Sequence, residues 1–93
     1  PVYRVQVGLF RNQRYANRLQ NELLEQEYPV YIDRSGPYYR VYVGEFDNLN
    51  DAVQMERRLK RAGYQTLIVQ EKIFHCRGIL FNITFLYLNQ KKK

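Results

Sequence analysis

Hydrophobic and polar positions alternate from Val2 to Leu9, with Tyr3, Val5, Val7 and Leu9 on one side and Arg4, Gln6 and Gly8 on the other. A period of two predicts a strand with one buried face. The period then changes. Beyond Asn12, a suitable helix cap, Ala16, Leu19 and Leu23 recur at helical spacing, and Leu24 widens the apolar stripe. Tyr28 to Asp33 predicts a second strand with Val30 and Ile32 inward. Pro29 within it has no ladder donor, which places that strand at a sheet edge. Ser35-Gly36-Pro37 is a turn signal between two strand patterns, so the second and third strands form an antiparallel hairpin.

The alternation resumes with Tyr39, Val41 and Val43 inward and Arg40, Tyr42 and Gly44 outward. A second helix begins near Asn48 to Asn50, presents Ala52, Met55, Leu59 and Ala62, and stops at Gly63, a good C-terminal cap. Tyr64 to Gln70 predicts a fourth strand. The two halves are copies: Tyr3-Arg4-Val5-Gln6-Val7-Gly8-Leu9-Phe10 returns 36 residues later as Tyr39-Arg40-Val41-Tyr42-Val43-Gly44-Glu45-Phe46, identical at six of eight positions. The same offset pairs Asn12 with Asn48, Ala16 with Ala52, Leu23 with Leu59, Tyr28 with Tyr64 and Ile32 with Ile68. Each half is therefore one supersecondary unit. With right-handed crossovers, the order βαββαβ predicts an α+β fold of ferredoxin-like or RNP-like topology: a four-stranded antiparallel sheet of order 4-1-3-2 with both helices on one face. The repeated motif then supplies both central strands.

Residues 71–93 have no counterpart in the repeat. The uncharged run Ile79 to Leu88 is rich in β-branched and aromatic residues, so residues 1–70 read as a domain of two βαβ repeats and 71–93 as a β-rich extension. Exposed, that run would aggregate. It is expected to pair with a sheet edge or with a second copy of the chain, giving a homodimer through the apolar segment. The bland alternative is a loosely ordered tail.

Charge changes the picture less than the total suggests. The formal net charge is +6 over 93 residues. Residues 1–36 hold five Arg against four acids, 37–72 six basic residues against five acids, and the last 21 residues four basic residues and no acid. Each repeat is only +1, so the basic excess sits mainly in the tail. Cys76 is the sole cysteine, which excludes an internal disulfide and a zinc cluster. No apolar run reaches the roughly 18 residues of a membrane span. A start at Pro-Val-Tyr with no signal peptide reads as a segment cut from a longer protein.

With the helices covering one face, the other stays open and presents Arg4, Gln6, Arg40 and Tyr42 from the central strands, flanked by Tyr31 and Leu67. Planar amide, guanidinium and phenol groups on a shallow surface suit an extended polar polymer. An ordinary solvated face would look similar, but two arginines at equivalent repeat positions tip the reading towards binding. Gly8 and Gly44 are expected to keep that surface low. Catalysis finds little support: His75 and Cys76 are adjacent in the tail without an orienting partner, and Glu22, Glu25, Glu27, Asp47, Asp51 and Glu56 lie on helix faces or in loops. No catalytic residue, metal ligand or cofactor is expected. Asn82-Ile83-Thr84 fits a glycosylation sequon within an apolar run, a match frequent by chance. The basic cluster Arg57, Arg58, Lys60 and Arg61 reads as a solvated helix face.

The doubled aromatic-x-Val-x-Val-Gly-x-Phe pattern, followed by Ala16 and Leu23 in one copy and by Ala52, Leu59 and Gly63-Tyr64 in the other, closely resembles the SPOR (sporulation-related) domain over about Val2 to Gln70. The resemblance implies the same four-stranded fold and a non-catalytic module that binds peptidoglycan, favouring glycan strands stripped of stem peptides. Such domains accompany cell-wall amidases, other wall hydrolases and division proteins, which implies an extracytoplasmic place at the septum or the spore or mother-cell wall. It also implies a glycan surface on the sheet with the first strand's glutamine prominent, matched here by Gln6. The expected glycan-binding set is Gln6, Arg4, Gly8, Tyr31, Arg40, Tyr42 and Gly44. Leu9 departs from the family, which favours a small or hydroxylated residue there, and the extension lies outside the pattern.

The alternative is a single-stranded nucleic-acid binder, because the RNA-recognition fold shares this topology and binds on the same open face. That fold stacks bases on aromatics of its central strands. Here the first strand offers none outward, only Tyr42 is suitably placed on the third, and the glycine-bearing RNP1 pattern is missing. Nucleic acid is accordingly not the expected partner.

Overall fold

A computed structural model describes the backbone of residues 1–76 and 79–87 and the side chains of residues 1–71. The expectations resting on the His75 and Cys76 side chains, on the Asn82–Thr84 sequon, on Leu88 and on the terminal lysines lie outside the described residues.

Five strands and two helices follow in the order β1 (Val2–Phe10), α1 (Gln13–Glu25), β2 (Val30–Ser35), β3 (Tyr38–Phe46), α2 (Leu49–Arg61), β4 (Leu67–Cys76) and β5 (Ile79–Tyr87). The sheet order is β2-β3-β1-β4-β5, antiparallel throughout. Its first four strands are the expected 4-1-3-2 order read from the other edge, with the two copies of the repeated motif side by side at the centre. The fifth strand joins the sheet at β4. Two boundaries differ from expectation. Pro29 precedes β2 instead of lying within it, and β4 starts three residues later and runs six residues further than predicted. Pairing of β4 with β1 ends at Glu71, so Lys72 to Cys76 run on with β5 alone as a two-stranded arm.

Both helices are bounded by local hydrogen bonds. The Asn12 side chain accepts from the Arg14 backbone N–H at 2.9 Å, and the Asn48 side chain accepts from Asp51 N–H at 2.9 Å while donating to the Asp51 carboxylate at 3.1 Å. These caps satisfy donors that the first helical turn leaves free. At the other end, Tyr64 N–H reaches the Leu59 carbonyl and Gly63 N–H the Lys60 carbonyl, with Gly63 at φ +101°. Tyr28 and Glu27 make the same two bonds to Leu23 and Leu24, but here the left-handed position is occupied by Glu27 at φ +67°. The repeat thus extends to paired Schellman caps, one with glycine and one without.

The helices cover one face of the sheet. Ala16, Leu23, Ala52 and Leu59 pack on Val5, Val7, Val30, Val41, Val43 and Ile68, forming one core. Full burial of a leucine such as Leu23 or Leu59 stabilises by about 1.5–3 kcal/mol.

Two β-bulges alter which side chains reach which face. Arg4 pairs with Glu45 but Val5 with Val43, leaving Gly44 as an extra residue on β3, at φ +77°. Gln6 pairs with Tyr42 but Gly8 with Val41, leaving Val7 as an extra residue on β1. Each bulge shifts the alternation by one. Leu9, expected inward, is therefore 46% exposed.

Candidate functional site

The face away from the helices carries Arg4 and Gln6 from β1, Arg40 and Tyr42 from β3 and Tyr31 from β2, as the alternation predicts up to each bulge. Register sets them against one another: Gln6 lies opposite Tyr42, Tyr42 opposite Tyr31, and Arg4 opposite Glu45. Two expected members do not belong to this face. A Cβ on Gly8 would lie 2.8 Å from a Leu19 methyl and 2.6 Å from the Phe10 ring, so Gly8 opens towards α1. A Cβ on Gly44 would lie 2.7 Å from the Phe46 ring, which packs on the core and lines a groove with Met55 and Arg58 of α2. The expectation that these glycines keep the open face low is thereby corrected. Their lack of a side chain makes room for the phenylalanine two residues on, in both copies.

The remaining polar groups form a connected layer. Arg4 is ion-paired with Glu71 and lies 3.4 Å from the Glu45 carboxylate, with its guanidinium 5.7 Å above the Tyr42 ring. Tyr31 donates its hydroxyl to Glu45 at 3.2 Å and tilts against Tyr42 with centroids 5.5 Å apart. Arg40 donates to the Gln6 side-chain oxygen at 3.3 Å. Glu45 and Glu71 were not singled out from the sequence, where one is a position at which the repeats differ and the other opens the extension. Their link to Arg4 spans 41 and 67 residues and depends on cross-strand register.

Packing within this layer is tighter than an open sheet suggests. Gln6 is 8% exposed and Tyr42 5%, so both sit among their neighbours instead of projecting into solvent. Burial raises the pKa of the Tyr42 phenol, and that of Tyr31 as well, with Arg4 opposing and Glu45 reinforcing the shift at Tyr31. Burial lowers the pKa of Arg4, but Tyr31, Glu71 and Glu45 outweigh it and the net shift is upward. The guanidinium is held as a cation by carboxylates that already neutralise it.

At one end this layer opens into a cleft of about 290 Å³ lined by Gln6, Val7, Gly8, Leu9, Gln65, Thr66 and Leu67. Among the described residues no group of three or more His, Cys, Asp or Glu is placed to hold a metal ion, and no helix is long and apolar enough to cross a membrane.

In overall architecture the chain is similar to the solution structure of the peptidoglycan binding domain of the B. subtilis cell wall lytic enzyme CwlC, with a TM-score of 0.65 and 21% identity over 94% of this chain and 90% of that one. No curated protein matches it. Residues 1–70, which hold both repeats and the polar layer, match the family model of the SPOR domain, and the chain belongs to that family.

Proposed function

We propose that this chain is a non-catalytic module that binds bacterial peptidoglycan on the open face of its sheet, favouring glycan strands that lack stem peptides. It would direct a longer wall hydrolase or division protein to the septum or to the spore or mother-cell wall, outside the cytoplasmic membrane. Family membership and the fold shared with a peptidoglycan binding domain support the class of ligand. The observation that carries the reading is the neutralised face. Arg4 is occupied by Glu45 and Glu71, Arg40 by Gln6, and Asp33 lies opposite Arg40 in the register. Such a surface gives little attraction to a polyphosphate, and a 5%-exposed Tyr42 is a poor stacking platform for a base. Amides, phenols and hydrogen-bonded guanidinium groups suit hydroxyls and acetamides, which both donate and accept.

In this reading Tyr31 and Arg40 meet the glycan, Gln6 reaches it from the cleft it lines, the buried Tyr42 and Arg4 hold this layer in place, and Gly8 and Gly44 act from beneath through the core. The test compares retention on intact sacculi, amidase-stripped sacculi and a single-stranded oligonucleotide. Retention is expected to be strongest on stripped sacculi, to persist at several hundred millimolar salt, and to fall for Gln6→Ala but not for the helix-face variant Arg58→Ala. Preferential, salt-sensitive capture of the oligonucleotide would instead indicate a phosphate-binding surface. Release of soluble muropeptides by the chain alone would refute the non-catalytic assignment.

A further inference from the structure

The two halves are equivalent almost everywhere, so a place where they differ is informative. On the second copy of the repeated motif the edge strand supplied by the first half zips fully: Tyr42 pairs with Tyr31, Val43 with Val30, and Gly44 N–H donates to the Pro29 carbonyl at 2.9 Å. In the first copy the corresponding ladder stops one step in. Gln6 pairs with Leu67, but Val7 is bulged out of register, and no backbone hydrogen bond among the described residues joins Gly8 to Gln65, the counterpart of Pro29. The cleft lined by Gln6, Val7, Gln65, Thr66 and Leu67 occupies that gap. Among the described residues, Gly8 to Phe10 keep β3 as their strand partner on one side and have none on the other.

We infer that this cleft receives the acetamido group of an N-acetylated sugar, so that the module reads the acetylation state of the glycan; the inference rests on the peptidoglycan reading above. Three observations specify the occupant. The partner this gap lacks is a carbonyl oxygen, which Pro29 supplies at the equivalent place in the sister repeat. The lining is neutral, with the Gln6 and Gln65 amides beside the apolar Val7, Leu9 and Leu67, which suits a methyl-bearing amide. The gap begins where the Gln6–Leu67 pair ends, which bounds it on one side. A de-N-acetylated sugar would bring an amine and no carbonyl. The nearby Glu56 carboxylate could not serve that amine, because it is fully buried and accepts from the Thr66 hydroxyl at 2.7 Å.

The experiment measures binding of the chain to amidase-stripped sacculi, to the same material after chemical N-deacetylation, and to that material re-N-acetylated, all at several hundred millimolar salt to screen general repulsion. Deacetylation is expected to weaken binding about tenfold or more, equivalent to about 1.4 kcal/mol, and re-acetylation to restore it. Gln65→Glu, which adds a carboxylate at the cleft mouth, is expected to narrow or reverse the preference, whereas Gln54→Glu on α2 leaves it unchanged. Equal binding of acetylated and deacetylated strands overturns this inference while leaving the peptidoglycan reading standing. An unaltered preference in Gln65→Glu removes the cleft as its origin. No binding to any of the three materials overturns both.

Discussion

Replacing Gln6 by Ala tests whether the open face is a surface or a packed layer. From the alternation alone Gln6 faces solvent, and truncating it should move stability by no more than about 0.5 kcal/mol. In the fold it is 8% exposed and accepts from Arg40 at 3.3 Å. The substitution removes one buried methylene beyond Cβ, about 0.8 kcal/mol, and a hydrogen bond worth a net ~0.5–1.5 kcal/mol. The expected loss is about 1–2 kcal/mol, or about 4–8 °C in Tm for each kcal/mol in a domain of this size. Urea unfolding of wild type, Gln6→Ala, Arg40→Ala and the double variant separates the two parts. The hydrogen bond should appear as a coupling of about 0.5–1 kcal/mol between the single changes, since contacting residues are not additive. Gln6→Ala within 0.5 kcal/mol of wild type, with no coupling to Arg40, would show that the layer is not packed as described. Binding losses measured for Gln6→Ala must accordingly be read against the fraction folded.

Other positions give independent checks. Thr66→Val leaves the fully buried Glu56 carboxylate short of one donor and is expected to cost about 1–3 kcal/mol in urea unfolding. Glu27→Gly relieves a left-handed backbone at φ +67°; the relief of ~1–2 kcal/mol outweighs the glycine entropy cost of ~0.5–1 kcal/mol, so Tm should rise, whereas Gly63→Ala should lower it. The raised pKa values of Tyr31 and Tyr42 mean that the fold favours the protonated phenols. The associated stability is present below the ordinary tyrosine pKa of about 10 and is lost as pH rises beyond it; Tm should fall from pH 9 to 11, and less steeply in Tyr31→Phe. Finally, β5 amides paired with β4 should exchange hydrogen more slowly than amides of an unstructured peptide, and equal rates would remove β5 from the sheet.

Much of this architecture is local and therefore written into the order of residues. Asn12 and Asn48 start the helices because a short side-chain acceptor reaches the free N–H groups two or three residues ahead. Ala16, Leu23, Ala52 and Leu59 lie on one stripe because of helical spacing, and the duplicated motif requires both halves to take the same shape. Strand order then follows from crossover handedness. The make-up of the open face was legible to the same extent: Arg4, Gln6, Tyr31, Arg40 and Tyr42 share it because strands alternate. What alternation cannot contain is the register between strands. The bulges at Val7 and Gly44 arise where two strands accumulate unequal numbers of residues between pairing points, so they turned Gly8 and Gly44 towards the helices and Leu9 towards solvent. The same registers brought Glu45 and Glu71 onto Arg4, buried Gln6 among side chains from its neighbour strand, and left a cleft in one repeat where the other is closed. Those outcomes belong to tertiary structure because each depends on a pair of segments far apart in the chain.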